Sequence, residues 1–479
     1  MTSTPPSAGS ARRKALPGPP AATNRLTYDD DLFLRIHRAL RTPLVNQMVW
    51  RFDAPLDLEG VQRLHEGLSR GPLNRRVVSG AVPGARDRWV RSSHTVPVRV
   101  HPAPLAAGEI TAWLEAEAQI DLDPYDGPSW VLATAATAEG GSVLSYLVSH
   151  VVADGGMMVA ALKAAQNATT QNATPQDGPV RRLPVDDLGA AQVTLRDEWR
   201  DARAQLMAAA RGLRDARRLP PAPAHDVPVQ RSADKPRPPR RADDHLPPDL
   251  ASVFVDCRAA DWHAAAEAAG GTANSLFIAI VVEILLAGGG AEAGRPVEVS
   301  LPVSTRKSDS DLRSNATSGV AIVVDTETRD GDPVVRDLAH IRTRSGAEFR
   351  GLVTGTRRDE LEPLKPLLQM VPDALAKMAS ANAATPLALA SNMGAAPSAV
   401  TAPLGEPTRS MIMRSVTQHA TRGMFRRMRG GLTAWWNESG ERCTLALLGF
   451  DESAFPDRAA LNDAVDRVYR RWGLTPEPW

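Results

Sequence analysis

Apolar positions along the chain fall into two alternating rhythms. Leu58, Val61, Leu64 and Leu68 recur at helical spacing behind Asp57, a cap residue, and ahead of Gly71, which predicts one amphipathic helix. The runs "WVLATAAT" from Trp130 and "SVLSYLVS" from Ser142 read as strands, and the "AEGG" between them predicts a hairpin. A helix then opens at "GGMMVAALKAAQ". In the second half "SVFVDC", "RPVEVSLPV", "GVAIVV" and "RCTLALLGF" are strand-like, and a last helix begins near Pro456. "SLFIAIVVEILLAGGG" from Ser275 is apolar all round, but Glu283 interrupts it and it falls short of the ~20 residues of a spanning helix. It predicts a buried core helix. Trp435 and Trp436 take opposite faces if their segment is a strand.

Two stretches break these rhythms. Residues 1–24, rich in Ser, Pro, Ala and Arg, hold no apolar run of signal-peptide length and predict a disordered tail. Residues 217–250 are dense in proline and charge, which excludes helix and strand periodicity and predicts an interdomain linker. The long helical segment before it, containing "LRDEWRDARAQLMAAARGLRDARRL", is rich in arginines that suit either water or a membrane surface. What remains is a mixed α/β (α+β) fold in two halves, residues 25–216 and 251–479, with a cleft expected where they meet.

Composition narrows this picture. The chain has 479 residues, more than one core usually serves, with 43% hydrophobic and 23% charged residues. Its formal net charge is +1, so no overall field calls for nucleic acid. Cys257 and Cys443 are the only cysteines and lie far apart in sequence, which argues against a disulfide framework or a cysteine metal site and suits the reducing cytoplasm. Asp309 and Asp311 in "DSDLRSN" offer too few ligands for a metal and read as a polar loop. "NATT" and "NATP", near Asn167, match a glycosylation pattern in name only.

Candidate chemistry centres on "SYLVSHVVADGGMM", residues 145–158. An imidazole of ordinary pKa ~6.5 is largely neutral at pH 7 and can take a proton from a hydroxyl if its position is fixed. Asp154 can cap the following helix and form a buried ion pair, while Gly155 and Gly156 permit a tight turn. Taken alone, this pattern fits a structural His150 as readily as a catalytic one.

"SHVVADG" resembles the H-H-x-x-x-D-G motif of the acyltransferases that include nonribosomal condensation domains and wax ester synthase/diacylglycerol acyltransferases. His150, Asp154 and Gly155 match, and Ser149 stands where the first histidine is usual. "LTYDDDLFLRIHRA", "LDPYDGPSWVLA", "TANSLFIAIVVEIL", "LPVSTR", "SNATSG" and "ASNMGAAP" resemble segments of the wax ester synthase/diacylglycerol acyltransferase family, in the expected order across most of residues 26–475. Ser275 occupies a place where an acidic residue is common, and "SNMGAAP" is looser than the usual glycine- and proline-rich form.

The resemblance implies two halves related to chloramphenicol acetyltransferase, each a mixed sheet with flanking helices, with an active-site tunnel at their interface. His150 would be the general base, and Asp154 would turn toward Arg306 of "LPVSTR" to hold the motif. Asn392 is the candidate oxyanion donor, with a purely structural asparagine as the alternative. Ser149 reads as a strand-end hydroxyl bonded to backbone, with a nucleophile and an oxyanion or tunnel residue as the alternatives. The implied activity is O-acyl transfer from acyl-CoA to a lipid hydroxyl, diacylglycerol or a long-chain alcohol, without a covalent acyl-enzyme, metal or resident cofactor. Peripheral contact with a membrane or lipid droplet would accompany a lipid acceptor. Two other readings stay open: a condensation-type enzyme taking its acyl group from a carrier protein, and a non-catalytic acyl-binding homologue.

Overall fold

A computed structural model describes residues 24–171, 193–217, 228–306, 308, 311–354, 362–380 and 385–479. The predicted tail apart from Asn24, residues 218–227 of the linker, Asp309 and the "NATP" pattern lie outside the described residues.

Two mixed sheets organise two lobes. The first runs in the order Ser410–Thr417, Leu44–Phe52, Ser142–Ser149, Trp130–Ala136, Arg99–Val100. The second runs Glu477–Pro478, Ser252–Arg258, Arg442–Gly449, Leu432–Ser439, Ala388–Ala395, Val297–Ser304, Thr317–Val324. The strand Ser410–Thr417 crosses between lobes: it follows Ala388–Ala395 of the second sheet in sequence yet pairs antiparallel with Leu44–Phe52 of the first, from Leu44↔Thr417 to Arg51↔Ser410.

The predicted hairpin is present, with Trp130 opposite Val148 and Ala136 opposite Ser142. Its strands are buried nearly throughout because both faces are covered. Leu144, Tyr146 and Val148 pack with Leu64, Leu68, Met157 and Leu162 of two helices. Val143, Ala133 and Ala135 instead join Phe254, Trp435 and Ala446 from the other sheet in a shared core. The lobes are therefore fused through apolar side chains and not merely tethered.

Capping chemistry sets the helix ends. Both carboxylate oxygens of Asp57 accept backbone N–H groups at 3.0 Å, from Glu59 and Gly60, and so start the helix Leu58–Arg70. Val61, Leu64 and Leu68 face the core, but Leu58, expected on that face, sits in the first turn and is 53% exposed. A β-carbon on Gly67 would lie 2.8 Å from the carbonyl of Ala165, so this glycine lets the helix Gly155–Gln171 approach closely. In the helix Ala273–Ala287, Ser275 accepts from the backbone N–H of Thr272 at 2.7 Å and completes a capping box. Every residue from Ser275 to Leu286 is buried, and Glu283 survives there because Arg471 Nη2 (2.7 Å), Trp472 Nε1 (2.9 Å) and the Val335 N–H (3.0 Å) all donate to it. Among the described residues no single helix is long and apolar enough to cross a membrane.

Two features could not be read from linear order. Residues 228–250 lie along the second lobe: Gln230 bridges to Val297, Lys235 pairs with Asp451 at 2.8 Å, and Arg429 donates to the carbonyls of Ala233 and Lys235. Apart from a short 3-10 turn at Ser232–Asp234 and the Gln230 bridge, the segment is irregular, and side chains attach it. Cys257 and Cys443, remote in sequence, stand directly opposite each other on neighbouring strands as buried free thiols.

Candidate active site

The strand Ser142–Ser149 delivers the motif to the junction of the lobes. His150 continues its ladder by donating its backbone N–H to Leu44 O at 2.9 Å, and the chain then turns as the N–H groups of Val152 and Ala153 donate to Ser149 O. Asp154 starts the next helix by accepting the Met157 N–H on Oδ1 at 2.9 Å.

Asn315, a residue to which the sequence assigned no role, determines the state of the imidazole. Its Nδ2 faces only acceptors: the backbone carbonyls of His150 (3.0 Å) and Val151 (3.3 Å) and a carboxylate oxygen of Asp30 (3.1 Å). The amide oxygen therefore faces His150 Nδ1, 3.0 Å away, and that nitrogen must carry the hydrogen and donate. Nε2 is left with its lone pair and, among the described residues, with no hydrogen-bond partner. Phe33 stacks on the ring at 3.7 Å between centroids and 18° between planes, which fixes its tilt. Burial pushes the pKa of His150 below its ordinary value, opposed by the Asp154 charge and the Asn315 bond, so the neutral base is the resting form.

The carboxylate of Asp154 turns away from the ring. Arg306 Nη2 donates to its Oδ1 at 2.5 Å, while the Ala316 N–H at 2.8 Å and the Thr317 hydroxyl at 3.3 Å donate to Oδ2. Arg306 also donates to the carbonyls of Asp311 (2.6 Å) and Arg313 (2.8 Å), so one guanidinium ties the motif to the loop that carries Asn315.

A cavity of about 950 Å³ opens onto this assembly, lined by His150, Asp154, Gly155, Gly156 and Val159 from the first lobe and by Val303, Arg306, Leu312, Asn392, Met393 and Trp435 from the second, with Met413 of the crossing strand. A second cleft of about 520 Å³ shares Pro302, Val303, Ser304, Asn392 and Met393 with it. Asn392 sits where the pairing with Leu432–Ser439 slips between Asn392 and Gly394, and Gly394 takes φ +71°. That bulge turns Asn392 and Met393 toward the cavity. Asn392 accepts from the Gly394 N–H at 2.6 Å and donates one Nδ2 hydrogen to Asn274 at 2.7 Å, which leaves the other Nδ2 hydrogen for a ligand.

The structure thus gathers His150, Asp154, Gly155, Arg306 and Asn392 around one cavity. Ser149 is not among its lining residues: it is 1% exposed and paired with Val45 inside the sheet. Trp435 lines the cavity, whereas Trp436 faces away and stacks on Trp262 at 5.6 Å. Asn315 and Phe33 lie within "SNATSG" and "LTYDDDLFLRIHRA", stretches singled out by resemblance, but nothing in their spacing says that they meet at His150.

Searches by sequence find neither a family model nor a curated protein that matches the chain. Solved structures do match. The first condensation domain of the CDA synthetase aligns over 93% of this chain and 95% of its own, with a TM-score of 0.57 at 17% identity. The chain has the condensation-domain fold. The starter condensation domain of rhizomide synthetase aligns over 93% of both chains with a TM-score of 0.51 at 12% identity. The wax ester synthase/diacylglycerol acyltransferase from Marinobacter aquaeolei VT8 aligns over 94% of this chain and 100% of its own, with a TM-score of 0.49 at 16% identity. The shared fold is two-lobed, and in this chain the motif loop and its cavity lie where the lobes meet.

Proposed function

We propose that the protein is an acyltransferase in which His150 Nε2 is the general base for attack of an acceptor hydroxyl on an acyl thioester. The observation that carries this reading is the Asn315 bond to Nδ1, which reserves the opposite nitrogen, as an acceptor, for the reaction. The acceptor proton passes to Nε2 as its oxygen bonds to the thioester carbon, and the tetrahedral oxyanion takes the free Nδ2 hydrogen of Asn392. Collapse of that intermediate expels the thiolate, which recovers the proton from the imidazolium. Ser149, outside the cavity lining, takes no part, so acyl transfer is direct.

Val159, Val303, Leu312, Met393 and Met413 make the cavity wall apolar and suit it to an acyl chain. Together with the order of the resembling segments, this favours acyl-CoA as donor and a lipid hydroxyl, diacylglycerol or a long-chain alcohol, as acceptor. The product would be triacylglycerol or wax ester. A second reading, a carrier-protein-bound donor, is favoured by the condensation domains of peptide synthetases that share the fold.

Free thiol release from acyl-CoA, measured with diacylglycerol, long-chain alcohols and small hydroxyl compounds, tests the proposal. Acceptor-dependent thiol supports the acyl-CoA reading, and transfer from an acylated carrier alone supports the second. Acyl binding with no transfer from either donor would overturn both and leave a binding protein.

A further inference from the structure

We propose that Asp30 is a positioning residue for His150, acting through Asn315 to hold the base in its reactive tautomer and to stabilise the imidazolium once it forms. The inference rests on the general-base reading of His150 and adds the group that sets its basicity.

Asp30 belongs to the helix Tyr28–Arg38, where Oδ2 accepts the Thr27 N–H at 2.9 Å and closes a capping box. Capping accounts for one oxygen only, and a cap can stand in water, whereas Asp30 is 1% exposed. Its other oxygen accepts two hydrogen bonds from Asn315, from the backbone N–H and from Nδ2, each at 3.1 Å. The backbone and amide groups that meet the carboxyl are all N–H donors, and the Thr27 hydroxyl adds a further bond that favours the charged form, an environment suited to an ionised carboxylate. Burial pushes its pKa up, opposed by these bonds and by the nearby Arg75 guanidinium.

The amide of Asn315 passes this charge on. Asp30 draws on Nδ2–H, and the same amide presents its oxygen to His150 Nδ1–H at 3.0 Å. Two hydrogen bonds in series thus link a buried carboxylate to the ring nitrogen opposite the reacting one, and each strengthens the other in a medium of low dielectric. Besides Asp30, the charged side chains packed about this loop include Asp154, Arg306 and Arg75, with Asp311 and Arg313 paired to each other on its outer side. Asp154 is engaged by Arg306. Arg75 donates to Ser314 Oγ at 2.7 Å and Val152 O at 2.8 Å while lying over the Trp89 ring. Phe33 covers one ring face with hydrocarbon. Of these carboxylates, Asp30 is the one whose hydrogen-bond chain ends on the imidazole. The amide between them keeps the ring neutral at rest, where a carboxylate in direct contact would favour the charged ring.

The test is Asp30→Asn in the full chain, with His150 titrated by ¹⁵N NMR without substrate and acyl transfer followed against pH. The native ring should show the hydrogen on Nδ1. In Asp30→Asn the His150 midpoint should fall by about one pH unit, because a facing negative charge is lost. The acid limb of the rate profile should move down with it, and the plateau should drop about tenfold. In an Asn315→Ala background the same substitution should move the midpoint by less than half as much. An unmoved midpoint in a less stable Asp30→Asn protein would reduce Asp30 to a helix cap, and a full-sized shift in the Asn315→Ala background would remove Asn315 from the path. Should Asp30→Asn fail to fold, the native tautomer decides: a hydrogen on Nε2 overturns the relay. The NMR result stands whether or not transfer is detected, whereas undiminished turnover in His150→Ala would defeat the functional reading alone.

Discussion

Arg306 reaches from the second lobe to place Nη2 2.5 Å from Asp154 Oδ1, with the two side chains 11% and 7% exposed. The same guanidinium holds the carbonyls of Asp311 and Arg313, so an ion pair in the motif also fastens the loop bearing Asn315. Removing one partner of a buried pair strands the other charge and costs ~3 to 5 kcal/mol. Arg306→Ala should therefore lower the unfolding free energy by that amount and the denaturation midpoint with it, and Arg306→Lys, which lacks the planar fork, should recover only part of it. An Arg306→Ala protein with the native midpoint would show that the contact is incidental.

His150→Ala should lower turnover by roughly 10² to 10⁴-fold, the usual contribution of a general base, with little change in thermal stability. Burial holds the His150 pKa below 6.5, so in the native protein the acid limb of activity should lie below that pH. Between the ordinary and the lowered value the unfolded chain holds a proton that the folded protein refuses. Stability should accordingly decline as pH falls through that window. A rate profile with its acid limb above pH 6.5 would contradict this placement of the ring.

The two motif glycines should respond differently to alanine. A β-carbon on Gly156 would lie 2.5 Å from Arg306 Nε and 2.9 Å from its Cδ, a fixed side chain, so Gly156→Ala should cost about 1 to 3 kcal/mol by forcing the guanidinium aside. On Gly155 it would meet the terminal methyls of Met413 and Met393, flexible ends that can swing. Gly155→Ala should fold nearly as well but favour shorter acyl chains, because the methionines would move within the cavity. Competition between donors of different length reads this directly, and an unchanged preference would place the acyl chain elsewhere.

Cys257 and Cys443 should be silent toward thiol reagents in the native protein. Both are 1% exposed, and the hydrogen bond to Cys257, with burial, pushes the Cys443 thiol far up from its ordinary value. Titration with a chromogenic disulfide should find no reactive thiol before denaturation and two afterward. Rapid labelling of the native protein would mean that this part of the sheet opens readily.

Much of the scaffold was legible because it depends on local pattern. The hairpin around "AEGG", the Asp57 cap and the apolar helix from Ser275 follow from side-chain periods and capping groups a few residues apart. Leu58 shows the limit of such reading, since helical period identifies a face but not where along it burial begins. Spacing alone made the site legible only where its residues are contiguous, as in His150, Asp154 and Gly155, whereas Arg306 and Asn392 were named through the segments that resemble a family. Asn315 and Phe33 escaped a role because an asparagine in a loop and a phenylalanine in a helix each have many ordinary uses.

By itself the sequence determined the repeating units: which segments alternate as strands, which turn as helices, and where a histidine stands at the end of a buried strand. Tertiary structure decided which nitrogen of that histidine keeps its lone pair, because the other nitrogen donates its hydrogen to a residue of the other half of the chain. It also decided that the strand Ser410–Thr417 completes the first sheet and that two distant cysteines face each other. Periodicity reports the environment of each residue along its own segment, whereas proton position and strand partnership depend on groups that only the folded chain brings within bonding distance.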